Sequence, residues 1–445
     1  MRGMSYAPFL AAAFLLWPLT SMAGTQGNVL LLALAAIPAL FVARPGIRPA
    51  HYLLAGMAFL VWAVASESWS PVSRGIHYLL AGMAFLVWAV ASESWSPVSR
   101  GIISGTLMGG DFAIRSAGLR IILTLFFTTL LIAGALRTAP GRAQISSRLI
   151  LGSLSIHGLL ILLSPVFATS VMPVFYGDDP LNHSSGFQNL DRGANAFALV
   201  LPILVVAYVG ARPGLAWKGL ALMIALASLV SFGVLGSSAA MFGAALMLVA
   251  FVIVRVFPKY GLRGLFTAVA AYIALAPILM SGLLYMLERS GVNLPGSFQS
   301  RAWSWEVVIG KIQEAPLMGH GIEASKSWQD TYAAYPEWMA QLPDFWARYP
   351  VVPGHPHNMA LQIWAETGAV GAFVAALAVL LIGWRLPIGH NLRTDIRYAI
   401  GGMLAAAFCL FSFSYSVWNE AFWSTLALAV VALIVLSRRV RGSLG

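Results

Sequence analysis

Apolar residues arrive in long blocks along this chain, and polar residues collect in the short stretches between them. Thirteen blocks are long enough to consider as membrane spans, near 7–23, 28–44, 51–66, 77–92, 117–136, 147–170, 195–210, 216–235, 238–257, 264–287, 359–384, 398–415 and 420–436. About 20 apolar residues cross a bilayer as a helix. An open backbone finds no partner in lipid, so each block is expected to be helical. The pattern therefore predicts an all-α, polytopic integral membrane protein. One long mixed stretch, 288–358, interrupts the series; it is too short and too rich in Trp and Pro to read as an independent domain. The expected organisation is N-terminal helices over 1–287, one large loop over 288–358 and C-terminal helices over 359–445. The first block follows Arg2 and ends at Ser21-Met22-Ala23 before Gly24, in the manner of a signal peptide, but its length reads better as an uncleaved first span.

Composition narrows the class. Of 445 residues 59% are hydrophobic and only 10% are charged, against roughly a quarter charged in soluble domains. That excludes a soluble globular enzyme, a disordered chain and a nucleic-acid binder. The net charge of +11 sits mostly in short loops, which is how a membrane protein records its cytoplasmic side. The tail with Arg438, Arg439 and Arg441 is expected inside, together with the loops holding Arg385/Arg393/Arg397, Arg255/Lys259/Arg263, Arg212/Lys218 and Arg137/Arg142/Arg148. The same count puts 93–116, 171–194 and 288–358 on the outer face. A single cysteine, Cys409, excludes a disulfide framework and a cysteine-ligated zinc site.

Residues 51–76 and 77–102 are identical letter for letter. Diverged repeats drift between copies and rarely stop at two. Arg44 and Arg48 place the start of the first copy inside, and counting back from the C-terminus places the start of the second inside too. Both cannot hold if each copy spans once. With one copy removed, the chain has twelve spans, both termini inside and no conflict.

Three polar clusters stand out at the outer boundary. The first is His355-Pro356-His357-Asn358, followed after nine residues by Gly368-x-x-Gly371. His357 would sit near a helix N-terminus, whose partial positive charge disfavours protonation of an imidazole; a neutral imidazole can serve as a general base. The residues read equally well as helix caps or anchors. The second cluster is Ser300-Arg301-Ala302-Trp303 with Pro316-Leu317-Met318-Gly319-His320-Gly321. Between them 302–314 has helical spacing, with Trp305, Val308, Ile309 and Ile312 on one face and Arg301 at its beginning. A guanidinium suits a phosphate through paired hydrogen bonds, or it snorkels to lipid headgroups. The third is the stretch 186–195, where Arg192 would stand beside a helix start and Asp191 could pair with it. There is no P-loop and no H-E-x-x-H. His355 and His357 lack an obvious third ligand for a metal, and the outer carboxylates show no D-x-D spacing.

These residues resemble the O-antigen ligase family, within the superfamily that also holds O-antigen polymerases. The resemblance rests on His357-Asn358-x9-Gly368-x-x-Gly371, on Ser300-Arg301-Ala302-Trp303 with Pro316-Leu317-Met318-Gly319-x-Gly321, and on Glu93-Ser94-Trp95-Ser96-Pro97 after an early span. It is specific from about 186 to 371. It implies a membrane glycosyltransferase that takes a glycan from undecaprenyl diphosphate at the periplasmic face of the bacterial inner membrane. Transfer to an acceptor hydroxyl would be inverting, with no cofactor and no metal, and lipid A–core would be the ligase acceptor. His357 would be the base. Arg301 would bind the diphosphate, with Arg192, Asn358 and His355 as further substrate-binding residues. Many members carry a Ser-Arg-Gly-like element at the outer start of a middle span; here that place reads Gly236-Ser237-Ser238-Ala239, so either Arg192 supplies the second cation or this member binds its donor differently. A polymerase extending the lipid-linked chain is the neighbouring alternative, and a protein-glycosylating transferase a weaker one. A polysaccharide transporter or flippase is the alternative from another class, although its ionisable groups would be expected near the midplane.

The duplication is expected to play no part in the mechanism. Resequencing the source DNA should return one copy; two genuine copies would overturn that reading.

Overall fold

The computed structural model describes residues 6–22, 26–42, 76–98, 103–104, 113–137, 140–168, 180–211, 215–292, 294, 296–332, 348–385 and 392–438. The block 51–66, with nearly all of the first repeat copy, lies outside them, as do Arg44, Arg48, Arg212, Arg439 and Arg441 and the carboxylates Asp178, Asp179, Glu337 and Asp344. In chain order the helices are α1 (Ala7–Met22), α2 (Gln26–Val42), α3 (Ile76–Ser92), α4 (Ala117–Arg137), α5 (Pro140–Val166), α6 (Pro180–Ala211) and α7 (Leu215–Val234). They continue with α8 (Ser238–Val256), α9 (Gly261–Ser290), α10 (Gly296–Glu314), α11 (Met359–Arg385), α12 (Thr394–Phe413) and α13 (Glu420–Arg438). The architecture is helical as expected. Among the described residues the additions include short 3-10 turns at Glu93–Trp95 and Ala324–Ser327, a two-residue antiparallel ladder pairing Ile103 with Ile114 and Ser104 with Ala113, and a bridge from Thr331 to Pro350.

Among the described residues eight helices are long and apolar enough to cross a membrane: α4, α5, α6, α8, α9, α11, α12 and α13. α1, α2 and α7 hold shorter apolar stretches, and α3, from the second repeat copy, is an apolar helix of 17 residues. One boundary differs markedly from the sequence reading. The stretch 186–195 was expected to precede a span, yet α6 runs unbroken from Pro180 and its apolar window is Gly186–Tyr208. Arg192 therefore lies within a helix, not beside its start. Gln188, Asp191 and Arg192 of this stretch line a cavity and Asn195 is buried in the bundle.

Small residues let the helices approach, which is what drives packing where lipid offers no hydrophobic contrast. Gly243 of α8 lies against the backbone of Ala406 in α12, and a Cβ on Gly402 would press into Pro202 of α6. Buried polar groups tie other helices together: Asn28 of α2 donates to Thr425 of α13 at 2.8 Å and accepts from Thr20 at 2.6 Å. Large apolar side chains such as Ile278 and Val230 point outward, as expected of surfaces that face lipid.

The two ends of the bundle differ in charge. Arg397 donates to the Pro258 carbonyl at 2.5 Å, Arg393 to the Leu436 carbonyl at 3.4 Å, and Arg438 to the Leu136 carbonyl. These contacts bring arginines of separate basic stretches to one end. The opposite end carries α10. This helix buries Ala302, Trp305, Val308 and Ile312, as its spacing predicts, but begins at Gly296, so Arg301 lies in its second turn.

At that end α11 is broken. Gly368 leaves helical dihedrals, with φ 66° and ψ −172°. The loop after α10 fills the break. His320 and Gly321 donate to the carbonyls of Ala365 and Glu366, both at 2.9 Å; Ala369 and Val370 donate to the carbonyls of Pro316 and Leu317 at 2.8 and 3.3 Å. The contact is so close that a Cβ on Gly368 would stand 2.1 Å from the Leu317 oxygen, and one on Gly319 would stand 2.5 Å from the Glu366 carbonyl carbon. The segment after α3 locks on from the other side. Ser92 Oγ accepts from the Ile322 amide at 3.0 Å, Ser96 donates to the Ile322 carbonyl at 2.7 Å, and Trp95 donates to the Gly319 carbonyl at 3.3 Å. Three sequence motifs thus form one junction.

Gly368→Ala combines a left-handed φ with a backbone clash and should cost on the order of 3 kcal/mol. Gly310→Ala, in α10 with open space around it, should be neutral or stabilising by up to about 1 kcal/mol. Melting of the two purified variants in detergent checks this; equal midpoints would refute the junction's role.

Candidate functional site

Above the junction a cavity of about 520 Å³ opens at the α10 end of the bundle. Its walls come from five places: Arg120 on α4; Gln188, Asp191 and Arg192 on α6; Glu323 and Lys326 beside the 3-10 turn; Pro353–His357 before α11; and 414–420 between α12 and α13. One face of α11 holds two of these walls. Glu366, fully buried, accepts from the Glu323 amide at 2.8 Å, from Ser325 Oγ at 2.6 Å and from the Trp418 indole. One turn earlier Gln362 donates to Ser416 Oγ at 3.0 Å and accepts from the Val417 amide at 3.0 Å.

The histidine segment is fixed at both ends. Trp305 donates to the Pro356 carbonyl at 3.0 Å. Asn358 accepts from the amides of Ala360 and Leu361 at 3.1 and 3.2 Å, so it caps α11, a role worth about 1 kcal/mol. His357 is held at φ 50°, uncommon for a residue other than glycine. The rings of His355 and His357 lie against each other, tilted by 50° with centroids 4.2 Å apart. Nε2 of His355 is 3.2 Å from the Ser414 carbonyl, which can only accept, so that nitrogen carries the hydrogen. Nδ1 of His357 is buried with no hydrogen-bond partner. Burial, then the neighbouring His355 and Arg301, push the His357 imidazole down to about 3, against the opposing pull of the Ser414 carbonyl. His355 is lowered too, chiefly by burial. Both rings are neutral near pH 7.

The cations are arranged in layers. Arg192 lines the cavity with Asp191 as a charged neighbour. Asp191 itself accepts from Ser237 at 2.6 Å and Asn195 at 3.1 Å. The place that lacks an arginine in the sequence thus leans on the residue next to Arg192. Arg120 bridges Glu323 at 2.6 Å and Glu420 at 2.9 Å, and Lys326 also bonds Glu323 at 2.6 Å. Burial works to raise the Glu323 carboxyl, but Lys326 and Arg120 overcome it and hold it below the usual carboxylate range. Arg301 is not on the wall. It donates to the Phe413 carbonyl at 3.3 Å, lies over Phe298, and acts on both histidines through its charge.

Of the residues picked from sequence, His355, His357 and Arg192 therefore meet in one cavity, Arg301 stands behind the histidines and Asn358 serves the helix. Sequence reasoning missed Arg120, Lys326, Glu323 and Glu420. Arg120 lies inside an apolar block near its start, and a lone arginine in such a block was the available signal.

Residues 223–376 match the family model described as O-Antigen ligase. A relative in Rickettsia bellii (strain RML369-C), described as "Putative polysaccharide ligase", is 27% identical over 136 residues, which is 31% of this chain and 31% of the relative. The chain thus matches about a third of that protein's length. No solved structure matches. The resemblance to the O-antigen ligase family is shown, and the matched segment holds Arg301, the 316–321 loop, the histidines and the α11 break.

A histidine at about 3 when folded and roughly 6.5 when unfolded binds its proton more readily in the unfolded chain between those values. Its share of stability is complete above roughly pH 6.5 and is lost as pH falls toward 3. The melting temperature in detergent should fall over this window, and His357→Asn should flatten part of the fall; an unchanged slope would contradict a buried neutral imidazole.

Proposed function

Taking residues 223–376 as an O-antigen ligase segment, we propose that this protein is a membrane glycosyltransferase. It moves a glycan from undecaprenyl diphosphate to an acceptor hydroxyl, with lipid A–core as the acceptor. The observation that carries the reading is the meeting of a neutral histidine and the cations Arg120, Arg192 and Lys326 in one cavity. That cavity lies at the end remote from the basic stretches. Basic ends are cytoplasmic, so the cavity faces the periplasm of the inner membrane, and the chain has twelve spans with one repeat copy.

Diphosphate is a competent leaving group, so the protein's task is to position two lipids and to neutralise charge that grows on the departing oxygen. Arg192 and Lys326 face that charge directly, and Arg301 adds to it from behind the histidines. His357 takes the acceptor hydroxyl's proton as the new bond forms at the anomeric carbon and the bond to diphosphate breaks, with inversion. An imidazole at about 3 is a weak base; the negative diphosphate beside it raises its basicity when the donor is in place. The positive charge for this step comes from the arginines and the lysine of the cavity.

The test is a lipopolysaccharide gel from a deletion strain, with lipid-linked glycans extracted in parallel. The expected result is loss of the whole ladder, with long polymer stranded on the lipid carrier. Wild-type protein restores it, and His357→Ala, inserted at normal levels, does not. Core bearing one repeat, with no long polymer anywhere, would make the protein a polymerase instead. Robust transfer by His357→Ala would remove that histidine from the mechanism.

A further inference from the structure

At the basic end of the bundle, remote from the polar cavity, α9 and α11 meet at backbone distance. A Cβ on Gly383 of α11 would stand 2.2 Å from the Phe266 Cβ of α9, so the glycine is what lets the helices close. That approach lays Trp384 on the face of α9. Its indole donates to Thr267 Oγ1 at 3.0 Å, and the Thr267 hydroxyl donates in turn to the Arg263 carbonyl at 2.9 Å. The Arg263 guanidinium lies over the Trp384 ring, 5.5 Å from its centroid and within cation–π range. Its Nε is buried with no hydrogen-bond partner. One turn earlier Tyr260 caps α9, and Lys259 Nζ lies 5.1 Å from the centre of its ring. Both rings are about half exposed. Two cations are thus held on aromatic faces, and neither has a carboxylate partner among the described residues. Over 255–263 and 384–397 the one acidic residue is Asp395, which bonds Arg393. Arg397 adds a third cation nearby, donating to the carbonyl of Pro258.

Along α11 from this corner the surface turns apolar. Phe373 and Leu377 share the face of Trp384, eleven and seven residues before it, and both are about half exposed. From Trp384 to Phe373 the helix rises about 16 Å, close to half of a hydrocarbon core of roughly 30 Å.

We propose that this corner binds one anionic phospholipid, whose phosphate meets Arg263 and Lys259 and whose chains lie along Trp384, Leu377 and Phe373. A general excess of basic residues and a belt of aromatic rings orient any membrane protein. What marks this corner is construction: a backbone contact and two hydrogen bonds fix the ring on which an arginine without a carboxylate lies. A guanidinium stacked on one face keeps its in-plane N–H groups for phosphate oxygens. Charge selects the occupant, because a net negative headgroup gains both cations, whereas phosphatidylethanolamine would bring its own ammonium against them. The apolar stripe of one leaflet's depth favours a lipid over a free phosphate ion. The site is independent of the glycosyl-transfer reading and lies at the other end of the bundle.

The test titrates purified full-length protein in detergent with dioleoyl phosphatidylglycerol and dioleoyl phosphatidylethanolamine, reading bound lipid by native mass spectrometry. Wild type should bind phosphatidylglycerol about tenfold more tightly. Lys259→Gln and Arg263→Gln should each weaken that lipid about fivefold, the scale of one cation at an anionic headgroup, and leave phosphatidylethanolamine unchanged. Arg289→Gln is the matched control, since Arg289 lies 4.8 Å over Tyr285 at the opposite end of α9; it should change neither. Melting in detergent confirms that each variant folds, and Lys259, which precedes α9, carries the test should Arg263→Gln not fold. Equal binding of the two lipids by wild type would overturn the proposal, as would unchanged phosphatidylglycerol binding in either folded variant. A loss in Arg289→Gln as large as in Arg263→Gln would reduce the effect to overall charge and overturn the site. Displacement of phosphatidylglycerol by millimolar inorganic phosphate would assign the corner to a free anion instead.

Discussion

A helix that breaks inside an apolar bundle strands backbone groups, and those groups need partners that lipid cannot give. In α11 the break at Gly368 is satisfied by the 316–321 loop, which supplies two donors and two acceptors. Much of the site end follows from that contact. It brings the backbone of Gly319 against Glu366 and Gly368, and it sets the loop's continuation so that Glu323 and Ser325 reach the Glu366 carboxylate. A fully buried carboxylate is costly unless it is well bonded; here amides, a hydroxyl, a side-chain amide and an indole all point at it. The same face of α11 thereby fixes the 414–420 turn and the 323–326 segment, while its capped N-terminus presents the histidines. Position in the cavity is inherited from one strained glycine and the loop that accommodates it.

Charge in the cavity is arranged so that no cation stands far from a carboxylate, yet the balance near the histidines is positive. Arg120 and Lys326 share Glu323, Arg120 also takes Glu420, and Arg192 has Asp191 beside it. Such pairs fix the direction of long side chains and match three cations on the wall with three carboxylates, so the unbalanced positive charge near the histidines is that of Arg301. Arg301 does something different. Bonded to a backbone carbonyl and placed behind the rings, it helps to keep His355 and His357 neutral. One arginine thus contributes through its field to the protonation state of a pair it does not salt-bridge.

The helical architecture was legible because hydrophobic blocks longer than a turn or two leave the backbone no alternative in lipid. Most helices begin and end within a few residues of their blocks, and α10 buries the face its spacing predicts. The start of α6 was not legible. Its first turns carry polar residues that read as a loop, and Gln188, Asp191 and Arg192, which follow within the same helix, line the cavity. His357 and Arg192 were legible as polar residues next to apolar blocks, and the cavity unites them. Arg301 was read at the start of a helix, but the helix begins five residues earlier and the arginine lies in its second turn, off the cavity wall. Glycines of the Gly368-x-x-Gly371 pattern were read only as a family mark; their use is to admit the 316–321 backbone and to pack against Trp88. Arg120, Glu323 and Glu420 were hidden because they come from three distant stretches, and nothing in linear order announces that they meet.

The extent of the family match has a structural counterpart. Residues 223–376 include the loop, the break, the histidines and Arg301, the parts that must fit one another at backbone distance. Arg120 and Arg192 precede that segment, and the 414–420 turn follows it. The cavity is therefore composite: the matched segment supplies the imidazole and the junction that holds it, whereas the chain on either side supplies two cations and the 414–420 wall. A backbone junction tolerates little change, because a single methyl group on Gly368 would meet the Leu317 oxygen. Walls made of side chains on separate helices are free of that constraint, since each can be altered without moving the others. A site built this way keeps its histidines fixed by main-chain geometry and leaves the surrounding charges to side chains on separate helices.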